Sequence, residues 1–220
     1  MSTLGYDIAH LLDGAVLLFS FMLLYQRRMS GLISVFALQS VTLAVVAAWG
    51  AYTRHAPHLY ASAAIVVVVK AVLIPVALHK IMTRLGIHRT VDAAMSIGSS
   101  MIAGASLVAL SIMLVLPVTF ASAALTRESL ALALSTVLLG LLMMITRRNA
   151  VTQVIGFMSL ENGLILAAVG VEGMPLVVEM SIAFSVMVAF IIFGIFFFQI
   201  RERFDSLDLP YLESFRGERR

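Results

Sequence analysis

Long apolar stretches separated by brief polar punctuation make up almost the whole chain. Seven can be marked, over approximately 6–25, 30–52, 59–83, 96–116, 128–145, 150–171 and 175–200. At ~1.5 Å rise per residue, helices of this length match a hydrocarbon core ~30 Å thick. The pattern predicts an all-α, polytopic membrane protein with seven transmembrane helices. Joining segments are short, so no sizeable soluble domain is expected. Residues 1–127 form a four-helix N-terminal membrane region, 128–200 a three-helix C-terminal region, and 201–220 a polar tail.

Composition agrees, with 61% hydrophobic residues, 12% charged and a mean hydropathy of +1.03. A water-soluble domain does not carry that balance. The sequence pI near 9.6 reflects arginines at helix ends and is no sign of nucleic-acid binding. The chain has no cysteine, so disulfides, thiolate metal sites and iron–sulfur clusters are excluded within it. None of its five histidines forms a close pair on one buried helix face, and no phosphate-loop, dinucleotide or zinc-helix motif is present. No metal or cofactor is expected in this chain, nor catalysis by it alone. The first apolar run lacks a basic leader and a small-residue cleavage pattern, and reads as a retained span.

The basic residues predict the topology. Twelve of the 15 Lys and Arg follow the odd-numbered spans, only Arg54 and Arg127 follow even ones, and Lys70 lies within a span. By the positive-inside rule the N-terminus faces the exterior and the tail the cytoplasm, in a bacterial or archaeal cytoplasmic membrane.

Ionisable residues inside the spans are the candidate chemistry. Lys70 lies near the middle of span three, with Pro75 five residues on, where the missing N–H is expected to free the Ala71 carbonyl. Glu161 lies mid-way along span six, followed by Asn162 and Gly163. A charge at that depth costs roughly 2.5–3.5 kcal/mol on insertion scales, more than simple anchoring would select. Counted along oppositely running helices, both lie ~15–17 Å below the outer surface and can pair if spans three and six meet. Burial favours the neutral form of each and proximity the charged form, so a balanced pair changes protonation when a nearby charge moves. Nearer the outer face stand Asp13, one turn from His10, and Glu179, just inside span seven. Lys70, Glu161, Glu179 and Asp13 are the candidate proton-relay residues. Pro75, Asn162 and Gly163 are candidates for helix breaking or packing, as is Gly140 for a weak hinge. Gln39, Ser40 and Thr42 read as interhelical hydrogen-bonding groups, Trp49 and Tyr52 as an outer aromatic belt, and Ser100-xxx-Gly104 as a close-packing motif.

The run Arg147-Arg148-Asn149, then Ile155-Gly156 and Glu161-Asn162-Gly163, together with Lys-Ala-Val-Leu-Ile-Pro at 70–75, resembles the membrane subunit called hydrogenase-4 component E. Residues 128–200 are also similar to subunit K of respiratory complex I. The resemblance implies a non-catalytic membrane subunit of a group 4 nickel–iron hydrogenase or a related complex-I-like machine. Its partners would be antiporter-like and other membrane subunits, the lipid bilayer and protons, with the redox centres elsewhere. The pattern departs from subunit K in two places. The first buried glutamate of that family aligns with Met158, one turn before Glu161, and the second aligns near Val186, two turns from Glu179.

Three other classes fit less of the chain. A small subunit of a cation/proton antiporter would lack the first four spans and the Lys70 motif. A passive scaffold would use its buried charges only to fix packing. A retinal protein would carry its lysine in span seven, where this chain has none.

Overall fold

The computed structural model describes residues 3–55, 57–85, 94–118, 124–170, 187, 188 and 191. Among the described residues the chain is all-helical, with six helices long and apolar enough to cross a membrane. They are α1 (Thr3–Tyr25), α2 (Met29–Arg54), α3, α4 (Ile97–Val118), α5 (Ala124–Thr146) and α6 (Ala150–Gly170). Helix α3 begins as an α-helix over Pro57–Ile65, widens to a π-helix over Val66–Leu73 and returns to α over Ile74–Leu85. These are the first six predicted spans. The seventh, with Glu179 and Val186, lies outside the described residues, except that Met187, Val188 and Ile191 are helical and Val188 is buried against the bundle.

Helix α2 is central, packed against α1, α3 and α6, while α5 lies between α6 and α4 and also meets α1. Helix α4 is peripheral, and Ile102 and Met113 face outward from it. Helices α5 and α6 pack most intimately. A Cβ on Gly140 would lie 2.5 Å from the Leu160 backbone nitrogen, and one on Gly163 would lie 2.7 Å from that of Val137. These glycines let two backbones touch, as small residues do where lipid supplies no hydrophobic drive for association. Gly140 is therefore a packing position, and α5 runs through it without the expected hinge. Asn162 and Gly163 likewise sit inside an unbroken α6. Gly104 of α4 receives the side chains of Leu139, Phe21 and Leu24.

Two helix ends are fixed by arginines from other parts of the chain, Arg147 from the connection between α5 and α6 and Arg54 from the end of α2. Arg147, only 3% exposed, donates through Nη2 to the carbonyls of Leu24 at 2.7 Å, Gln26 at 3.0 Å and Leu23 at 3.3 Å, closing the C-terminus of α1. Burial and the nearby Arg27 charge hold its guanidinium below the ordinary arginine range, but arginine keeps its charge at any physiological pH. At the opposite end of the bundle Arg54 donates to the carbonyls of Val169 and Gly170, the last of α6. Both place a cation on the negative end of a helix dipole. Asn149 starts α6 by accepting the Val151 N–H at 2.9 Å. His55 ends α2 in the left-handed region (φ 53°), with its N–H on the Ala51 carbonyl.

Candidate functional site: a polar layer between two apolar cores

The buried side chains fall into two apolar clusters stacked along the helix axes. One, toward Arg147, includes Leu23, Phe36, Ile74, Leu139 and Met158; the other, toward Arg54, includes Val16, Leu43, Val66, Ala133 and Ile165. Between them, at mid-helix, lie Ser20 of α1, Gln39 and Ser40 of α2, Lys70 of α3, Ser135 and Thr136 of α5, and Ser159, Glu161 and Asn162 of α6, all buried. The predicted charges are thus two members of a continuous stratum.

Lys70 is 1% exposed and its Nζ lies 3.3 Å from Glu161 Oε2. The same ammonium donates to Asn162 Oδ1 at 2.9 Å. Asn162 donates through Nδ2 to Gln39 Oε1 at 3.2 Å and Ser40 Oγ at 3.5 Å. Gln39 Nε2 donates to Ser20 Oγ at 2.7 Å and Ser159 Oγ at 3.1 Å, and Ser20 donates to the Val16 carbonyl at 3.1 Å. A hydrogen-bonded line therefore crosses from α3 through α6 and α2 to α1. Charges in hydrocarbon persist only when paired and hydrogen-bonded, and each gap in such a network is costly.

The π-helical turn is the local device that aims the lysine. Ile74 N–H reaches back five residues to the Val69 carbonyl, so the turn bearing Lys70 is wider than an α-turn. The widening also relieves the clash that Pro75 would make with the carbonyl four residues before it. The proline effect expected at Ala71 thus takes the form of a register change and not of a break.

His10 and Asp13, one turn apart on α1, make two separate contacts to α5. His10 Nε2 lies 2.9 Å from Glu128 Oε2, which also accepts from Tyr6 Oη at 2.5 Å. Asp13, 4% exposed, accepts from Ser129 Oγ at 2.5 Å. Glu179 lies outside the described residues, and Met158, at the subunit K glutamate position, is wholly buried in the apolar cluster toward Arg147. Sequence reasoning passed over Glu128, Ser129, Ser159 and the burial of Arg147. Only the periodicity of Ser159 with Asn162, three residues apart on one helix face, carried a signal.

An uncharacterized protein of Mycobacterium tuberculosis (strain ATCC 25618 / H37Rv), Rv0085, is similar to this chain, with 26% identity over 205 residues covering 92% of this chain and 93% of that protein. No family model matches the chain, and no solved structure matches it. The class that fold and site define is a multi-pass helical membrane protein with a charged, hydrogen-bonded layer at the mid-depth of its helices.

Proposed function

We propose that this chain is a non-catalytic membrane-arm subunit of a group 4 nickel–iron hydrogenase or related complex-I-like assembly. Its polar layer carries protons whose movement is coupled to redox chemistry in other subunits. The N-terminus faces the exterior and the Arg147 end of the bundle faces the cytoplasm, in the cytoplasmic membrane of a bacterium or archaeon. The observation that carries the reading is the Lys70–Glu161 pair, held 3.3 Å apart at 1% and 3% side-chain exposure and continued by Asn162 and Gln39.

Two states of this pair, ionic and neutral, differ by the position of one proton between Nζ and the carboxylate. Moving that proton leaves the net charge unchanged, so it meets no large solvation barrier in a low-dielectric interior. A charge arriving from a neighbouring subunit shifts the balance, because burial and pairing pull in opposite directions. Asn162 and Gln39 hold the ammonium and the flanking hydroxyls in line, as a relay requires.

The test is Glu161→Gln in the assembled complex, reconstituted into vesicles. Glutamine keeps the shape and still accepts from Lys70, but cannot take up the proton. Hydrogenase activity with loss of proton translocation is expected. Unchanged translocation would leave the layer a packing device and overturn the reading. A gene neighbourhood encoding a nickel-binding hydrogenase subunit is expected as well, whereas one encoding only antiporter subunits would redirect the assignment.

A further inference from the structure

A second polar feature lies on the Arg54 side, above the central layer. Asp13, Trp49, Gly50, Thr53, Arg54 and Ser129 line a cavity of about 30 Å³ where α1, α2, α5 and α6 meet. A water needs ~10–15 Å³ of such room and two to four polar partners, so one or two waters fit here. Ser129 already donates to Asp13, Thr53 to the Trp49 carbonyl and Arg54 to the Val169 and Gly170 carbonyls. What remains for a water is the lone pairs of the Asp13 carboxylate and of the two hydroxyls and the other N–H groups of the guanidinium. The guanidinium in the wall disfavours a metal cation in so small a space, while a neutral water tolerates both signs of charge.

The cavity also points toward the layer. The Val16 carbonyl, which accepts from Ser20 at 3.1 Å and Gln39 at 3.5 Å, ends the central network on α1. Val16 is one turn, or ~5 Å along the axis, from Asp13. Val16, Leu43 and Val46 belong to the apolar cluster on this side, and Val46 also lines the cavity. Toward the surface, His10, Glu128 and Tyr6 form the half-exposed hydrogen-bonded group one turn the other way.

We propose that this cavity is a hydrated vestibule in which Asp13 exchanges protons with the aqueous phase on the Arg54 side, one apolar turn short of the central layer. The inference deepens the proton-path reading and rests on it for its purpose, but not for its water access.

The absence of cysteine from the sequence makes water access directly measurable. Single cysteines are introduced by Asp13→Cys and Ser129→Cys, and sealed vesicles are exposed on one face at a time to silver ion in chloride-free buffer. Thiols left unblocked are then counted with a maleimide after denaturation. Tyr52→Cys, exposed at the same end, reports the face, and Ala133→Cys, fully buried in the apolar cluster, reports closed core. Because the thiolate is the reactive form and needs water, both cavity thiols are expected to block from the Tyr52→Cys face at least about tenfold faster than Ala133→Cys. Blocking at the Ala133→Cys rate, or only from the opposite face, would overturn the vestibule. Ser129→Cys, a near-isosteric change, keeps the test in force if Asp13→Cys does not fold. In the assembled complex, Asp13→Asn with Glu161 intact is expected to slow proton translocation roughly 100-fold, in the range of a lost acid–base group; an unchanged rate would remove Asp13 from the path. Labelling at Asp13→Cys with full translocation in Glu161→Gln would keep the vestibule and defeat the relay reading, and the converse pattern would do the reverse.

Discussion

At the scale of single residues, the Lys70–Glu161 pair is a costly feature whose two halves depend on each other. Removing one partner leaves the other as an uncompensated buried charge, which typically costs about 3–5 kcal/mol, while replacing both by apolar residues of similar volume is often neutral or better. Lys70→Met alone is therefore expected to lower thermal stability in detergent sharply, and Lys70→Met combined with Glu161→Leu to restore most of the loss. A double variant as unstable as the single one would show that Asn162, left with an unpaired Oδ1, is the dominant cost. The comparison also divides fold from transport, since the stable double variant is expected to assemble without moving protons. The identities and depths of these two residues were legible in the sequence, because a charge in the middle of an apolar run is conspicuous. Their companions were legible only in part. Gln39 and Ser40 bridge helices as their polarity suggested, but Thr42, read the same way, bonds the Leu38 carbonyl of its own helix. Ser20 and Ser159 carried no such reading, because nothing local separates a hydroxyl that bridges helices from one that does not.

At the scale of elements, the contact between α5 and α6 is backbone on backbone, so its glycines have no spare room. A methyl at Gly163 would meet Val137 N at 2.7 Å and Val137 Cγ2 at 2.8 Å, and one at Gly140 would meet Leu160 N at 2.5 Å. Gly163→Ala and Gly140→Ala are each expected to cost about 1–3 kcal/mol by forcing the helices apart. At Gly14 a methyl would meet nothing within 4 Å, so this position is the matched control and is expected to tolerate alanine. Equal thermal stability for all three variants in detergent would refute the close approach. Arg147 tests a different element contact. Its guanidinium serves three carbonyls at the end of α1, so Arg147→Gln is expected to lose about 1.5–3 kcal/mol, as for hydrogen bonds to a charged group, whereas Arg148→Gln at the exposed neighbour loses little. From the sequence the two arginines look alike, as basic punctuation after an apolar run. What separates them is the position of α1, which no local pattern contains.

At the scale of the whole molecule, six of the spans were readable and their neighbours were not, for a physical reason. In water an amphipathic stripe shows which face turns inward, but lipid tails are as apolar as leucine and erase that signal. Helix α4 shows this, since its outward Ile102, Leu110 and Met113 are chemically indistinguishable from the core residues Leu139 and Met143 of α5. Only glycines and polar groups mark an interface, which is why α6, rich in both, was the most informative stretch of the chain. Orientation is the remaining global property, and the proposal for it rests on charge alone. Arg27, Arg28 and Arg148 cluster at one end of the described bundle, where Arg147 caps α1, while Arg54 and Arg127 are the basic residues of its other end. Moving arginine across a charged membrane is opposed during insertion, so the proposed orientation keeps the richer end cytoplasmic. In a chain without native cysteine, Arg148→Cys is expected to react with an impermeant thiol reagent only in inside-out vesicles, and Tyr52→Cys only in intact cells. The opposite pattern would invert the bundle and place the Asp13 vestibule on the cytoplasmic side, so that protons would enter the central layer from the inside.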